Sequence, residues 1–272
     1  MLEKIYINSL YAGAFETPHE QIIYIKQHLD YDGRDPGFLY LLGITYYNLH
    51  QYDKALPVFE ESLEKYSKWG ARPAWVYCYF YPVLIYNKAG QHKKEKKLLN
   101  KAVHDFPDGY NLLQCEAMLA LSERDTILAN KYIQKYISNR RENLWSEAAI
   151  MTDLAGAFLL YGDLKEAEVY YRKALSFEPE NPVRMNDLAK VLIENERKLK
   201  EGLELIDKAL KSSPDNWAVL DTKGWGLYKQ GKYQEALMFL EKSWSLKPVY
   251  YIHELFLHLE AAKKAVANQK NN

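Results

Sequence analysis

Only two cysteines, Cys78 and Cys115, occur in 272 residues. That excludes a disulfide framework of the sort that braces small secreted domains, and two buried thiols in helices are the expectation. No apolar run approaches the roughly 20 residues that a membrane-crossing helix needs. The opening MLEKIYINSLYAGAF is interrupted by Asn8 and Ser9 and has no signal-peptide pattern. An excess of one charge is missing too, because 36 Lys and Arg balance 36 Asp and Glu. Nucleic-acid binders draw affinity from neutralising phosphates, so none is expected as a ligand. Also absent are a Gly-rich phosphate loop, a nucleophile elbow, a dinucleotide fingerprint and any Pro/Gly/Ser-rich linker. These absences predict a soluble, cytoplasmic chain that does not insert in membranes.

The seven histidines form no ligand set. His253 and His258 in HELFLH are five apart, which turns them about 140° from one another on a helix, whereas a zinc-protease helix needs a spacing of four. No metal, cofactor or catalytic group is expected, and the chain is not expected to be an enzyme. Lys93, Lys94, Lys96 and Lys97, interrupted by Glu95, read as a solvated helix face.

What the sequence has is repetition. Leu39–Ser62 (LYLLGITYYNLHQYDKALPVFEES) superposes without a gap on Leu220–Ser243 (LDTKGWGLYKQGKYQEALMFLEKS). Gly43 falls on Gly224, Tyr47 on Tyr228, Tyr52 on Tyr233, Ala55 on Ala236 and Ser62 on Ser243. Intervening copies carry Val83, Ala117, Ala155 and Ala189 in the first helix, and Glu95, Ala129, Ala167 and Gly202 in the second. Small residues at those places let two antiparallel helices approach closely, where larger ones would overpack. Pro107, Pro179, Pro214 and Pro248 close four of the second helices.

These residues resemble the tetratricopeptide repeat (TPR) family, whose pattern of about 34 residues runs through Leu-Gly, Tyr, Ala, Phe and Pro. Leu39, Leu42, Gly43, Tyr46, Ala55 and Phe59 match it, as do Met151, Leu154, Ala155, Phe158, Gly162, Ala167, Tyr171, Ala174 and Pro179. The resemblance implies an all-α, right-handed α-solenoid with six TPR-like helix pairs over 36–250. A degenerate N-terminal helix pair is expected over 1–35, with residues 2–12 as one member and a capping box at Thr17-Pro18-His19-Glu20 opening the other, which runs to about Asp30. A capping helix is expected over 251–268 and a frayed tail over 269–272, the whole chain forming one continuous array. Extra residues at the joints 65–75 and 139–148, which hold Trp69, Trp75 and Trp145, lengthen the period through longer helices or wider turns.

TPR arrays usually bind partners along the face made by the first helices. Transferring the family's facing positions picks out Tyr40, Tyr47, Tyr77, Phe80, Asn87, Gln114, Met118, Thr152, Asn186, Lys190, Asp221, Trp225 and Tyr228. Among these, Tyr40, Tyr47, Tyr77, Trp225 and Tyr228 are expected to be exposed anchors, while Ile44, Leu84, Leu121 and Leu159 are expected to pack against neighbouring helices. No consecutive trio of first helices supplies the Lys, Asn and Arg set with which TPR co-chaperones grip Hsp70 or Hsp90 C-termini. The resemblance thus implies a non-catalytic scaffold or adaptor for a protein or peptide partner, with a peptide-sensing regulatory subunit of a partner enzyme as the alternative.

Overall fold

Fourteen helices supply the regular structure of the described residues, among which no strand occurs. This computed structural model describes residues 18–31, 33–195 and 198–270. The helices are α1 (Pro18–Tyr31), α2 (Pro36–Asn48), α3 (Tyr52–Lys68), α4 (Tyr77–Lys88), α5 (His92–Asp105), α6 (Tyr110–Ser122) and α7 (Thr126–Glu142). They continue with α8 (Glu147–Leu160), α9 (Leu164–Phe177), α10 (Pro182–Glu194), α11 (Leu199–Ser212), α12 (Trp217–Lys229), α13 (Tyr233–Leu246) and α14 (His253–Lys270).

The helices fall into two compact units, divided within α7 after Asn139. In the first unit α1 packs on α2, and the pairs α2–α3 and α4–α5 are followed by α6. In the second unit α8–α9, α10–α11 and α12–α13 are each closely packed pairs, and α14 lies against both α12 and α13. Within that unit α12 also touches α10, so its flanks meet α10 and α14.

The gapless superposition of Leu39–Ser62 on Leu220–Ser243 has a counterpart in contacts. A Cβ on Gly43 would lie 2.6 Å from Phe59 Cε1, and one on Gly224 would lie 2.6 Å from Leu240 Cγ. Ala55 and Ala236, across the same crossings, are fully buried. Helix pairing at these two places therefore depends on the missing side chain, which is worth more than glycine's helix penalty of about 1 kcal/mol. Ser62 Oγ donates to the Pro36 carbonyl at 2.7 Å, and Ser243 Oγ donates to the Trp217 carbonyl at 2.7 Å. Each serine ties the C-terminal half of a second helix to the start of its first. Asp35 and Asn216 cap those first helices in the same manner, accepting from Gly37 and Phe38 N–H and from Ala218 and Val219 N–H respectively.

Other copies bury Ala117, Ala155 and Ala189 in the first helix and Ala129 and Ala167 in the second. The pair α4–α5 departs from this rule. Val83 and Glu95 hold the two small-residue places, and both are fully buried. Glu95 is therefore no part of the solvated lysine face that it was expected to interrupt, whereas Lys93, Lys94, Lys96 and Lys97 are exposed.

Cys78 and Cys115 form no disulfide and are buried in one core cluster with Tyr79, Leu99 and Leu112. Burial pushes the Cys78 thiol up to about 11. Both long joints contain extended helices, since α3 and α7 each run for 17 residues before turns with Gly70 (φ 64°) and Leu144 (φ 61°). At the chain ends, α1 begins at Pro18, while Thr17 and the helix expected over 2–12 lie outside the described residues. The capping helix starts at His253 and continues to Lys270, two residues beyond its expected end, so only 271–272 of the expected tail remain, outside the described residues.

Candidate protein-interaction site

In the first unit the expected aromatic anchors Tyr40 and Tyr47 pack on other aromatic rings. Tyr47 meets Tyr52 at 5.2 Å and Tyr81 at 4.8 Å between ring centroids, and Tyr40 meets Trp75 at 5.8 Å. Tyr40, Tyr47 and Phe80 are half-buried, and of this set only Tyr77 is exposed. Burial and the neighbouring tyrosines raise the Tyr40 and Tyr47 hydroxyls far above their ordinary range. The expectation that Tyr40 and Tyr47 stand free in solvent is corrected by this packing: large rings on adjacent helices fill the space between them. Tyr77 is itself held, its hydroxyl accepting from Asn111 Nδ2 at 2.9 Å.

Further assignments change. Asn87 turns towards its own pair and donates from Nδ2 to the Glu95 carboxylate at 3.0 and 3.2 Å. Gln114 and Met118 are buried, at 8% and 4% exposure, because α6 is covered along that face. In the second unit Asn186 is 5% exposed, and Thr152 is half-buried. Asn186 Oδ1 and Thr152 Oγ1 are buried atoms without a hydrogen-bond partner, at the same repeat position of α10 and α8.

Elsewhere the second unit gathers its expected residues. Leu159 on α8, Lys190 and Ile193 on α10, and Asp221 and Trp225 on α12 line one cavity of about 260 Å³. Leu159 is 37% exposed there, which corrects its assignment to interhelical packing: at the last turn of α8 no helix covers it. The cavity also receives Glu254 and His258 from α14, two residues that repeat position does not reach.

His258 is central to the wall. Its Nδ1 donates to Asp221 Oδ1 at 2.9 Å, and its ring stacks on Trp225 with centroids 4.1 Å apart and planes 12° apart. Trp225 stacks also on Tyr228, at 4.8 Å, and its Nε1 donates to Glu194 Oε1 at 2.7 Å. Lys229 Nζ pairs with Glu194 Oε2 at 3.1 Å and lies 5.4 Å from the Trp225 ring centre. Lys229 is thus a half-buried brace for the indole. Trp225 and Tyr228 are both half-buried by these contacts. The indole is a preorganised wall, so a partner side chain meeting it loses little rotamer freedom from the protein's side.

The arrangement offers an apolar bed with charged margins. Among the described residues no three His, Cys, Asp or Glu side chains are placed to hold a metal ion. No described helix is long and apolar enough to cross a membrane. The cavity presents apolar surface at Leu159, Ile193 and Trp225 with charged groups around it.

The comparisons agree with this architecture. The tetratricopeptide repeat model matches residues 36–69, which hold α2–α3, and residues 148–181, which hold α8–α9. One match thus falls in each unit. A TPR repeat-containing protein of Pseudomonas aeruginosa is 29% identical over 177 residues, covering 63% of this chain and 28% of that relative. The chain therefore spans less than a third of that relative's length. A solved tetratricopeptide repeat protein from Parabacteroides merdae shares 15% identity and superposes with a TM-score of 0.51, covering 96% of this chain and 98% of the other. At that identity the likeness shows the fold alone. With the small-residue crossings, the capped helix pairs and a repeat match in each unit, the chain carries tetratricopeptide repeats.

Proposed function

We propose that the chain is a non-catalytic scaffold whose α8–α10–α12–α14 face takes a segment of a partner protein or a peptide. The observation that carries this reading is the cavity of about 260 Å³, in which four residues chosen by repeat position or adjacent to it, Leu159, Lys190, Asp221 and Trp225, come together. An indole fixed by His258, Tyr228 and Glu194 is the kind of rigid aromatic anchor on which interface energy concentrates. The buried cysteines Cys78 and Cys115, which form no disulfide, suit work in a reducing cytoplasm.

The test uses the tagged full chain to capture partners, identifies them by mass spectrometry and then measures binding of the purified pair. Leu159→Asp, a change at an exposed place, is expected to weaken binding at least tenfold. Reversal of Lys93, Lys94 and Lys97 to Glu is expected to leave it unchanged. Normal binding by Leu159→Asp, with loss on lysine reversal, would overturn the reading.

A further inference from the structure

The charged groups around the cavity are unequally committed. Asp221 is held by His258 at 2.9 Å, and Glu194 is held by both Lys229 and the Trp225 indole. Lys190 and Glu254 line the same cavity, and neither enters an ion pair or a hydrogen bond among the described residues. Lys190 feels Asp187 one turn earlier, but that carboxylate is paired with Arg184 at 3.7 Å. The two uncommitted charges belong to different helices, with α12 between them in contact with both. Leu159, Ile193 and Trp225 supply the apolar lining of the same cavity.

From this charge layout we infer that the segment bound here carries an acidic residue facing Lys190 on the α10 side, an apolar residue in the cavity, and a basic residue facing Glu254 on the α14 side. The inference rests on the scaffold reading above and adds the ligand's chemistry and its direction of travel across α12. Complementary charges at an interface set partner choice and orientation more than raw affinity, while like charges brought together are costly. A uniformly acidic segment would meet Glu254, and a uniformly basic one would meet Lys190. Only a segment whose charges change sign across an apolar residue satisfies both. The signature differs from the all-basic clamp for a C-terminal carboxylate, because half of the recognising charge here is negative.

The experiment is selection of phage-displayed random heptapeptides on the full chain, followed by titration of the best synthetic peptide, amide-capped at its C-terminus. Enrichment of Asp or Glu on one side of an aliphatic or aromatic residue, and of Lys or Arg on the other, is expected. Changing the peptide's acidic residue to its amide should weaken binding roughly tenfold with the wild-type chain and little with Lys190→Gln, while Lys190→Arg should keep most of the effect. The basic residue and Glu254→Gln should show the same coupling. Neither position makes an ion pair among the described residues, so thermal melts of these variants should match the wild type and separate recognition from folding. Enrichment of apolar residues without flanking charge, or equal losses with wild type and Lys190→Gln, would overturn this inference and leave the scaffold reading standing. Peptides that bind equally to Leu159→Asp, or no enrichment at all, would remove both.

Discussion

Gly224 faces Leu240 across the α12–α13 crossing so closely that a Cβ would stand 2.6 Å from Leu240 Cγ and 3.1 Å from the Ala236 carbonyl. Neither neighbour is the free end of a flexible chain. Gly224→Ala gains about 1 kcal/mol of helix propensity but forces these atoms apart, at an overpacking cost of about 1–3 kcal/mol. A net loss is expected, and a larger one for Gly224→Leu. Glu241→Leu, at an exposed place on α13, is the control. Urea titrations that rank Gly224→Leu level with Glu241→Leu would remove the argument.

Ser62 and Ser243 make the same hydrogen bond in two different pairs, each 2.7 Å long. Their alanine variants should each cost about 1 kcal/mol, the usual net worth of one such bond. Because the geometry repeats, the two losses should agree closely. A cost at one serine and none at the other would show that the shared contact is not what the shared residue is for.

The His258–Asp221 bond fastens α14 to α12, and the Asp221 side chain is almost wholly buried. His258→Ala leaves that carboxylate without its donor, so a loss of about 1.5–3 kcal/mol is expected. Proteolysis or hydrogen exchange should place the damage in α14 first, since terminal units open most readily. Uniform protection along α14 in the variant would contradict this.

Glu95 carries a pH dependence with a definite sign. Burial raises its carboxyl above the usual carboxylate range, against the lowering pull of the His92 and Asn87 hydrogen bonds, and Glu123 adds to the rise. A folded value above the unfolded one means that the favourable contribution is complete below the unfolded value of about 4.3 and is lost as pH rises through the folded value. Glu95→Gln keeps the shape and never ionises. Its melting temperature should match the wild type near pH 4 and exceed it increasingly towards neutral pH. A difference that stays constant with pH, or that reverses, would refute the assignment.

Much of the fold could be read from residues alone because each helix pair imposes its own local rule. Close crossing demands Gly or Ala at two places, and a missing N–H stops the helix at Pro107, Pro179, Pro214 and Pro248, each two residues past the last helical one. The matched serines at 62 and 243 were visible as an identity, but their purpose needed the carbonyl across the pair. Glu95 was visible as a departure from the pattern, yet its burial against Asn87 and His92 was not. Nothing in the order of residues says that a lysine-flanked glutamate points inward.

The site divides along the same line. Repeat position alone places Lys190, Asp221 and Trp225 on one face, because the period fixes the direction of a side chain about its helix axis. It does not fix what stands opposite. Tertiary packing decided that Gln114, Met118 and Asn186 are covered, that Tyr40 and Tyr47 pack on neighbouring rings, and that Leu159 is left open at the last turn of its helix. His258 lies outside every repeat and 37 positions from Asp221, and the two meet only when α14 packs on α12. Direction about an axis is a property of one helix and can be written in its sequence. Exposure and partnership belong to pairs of helices, and only their packing settles them.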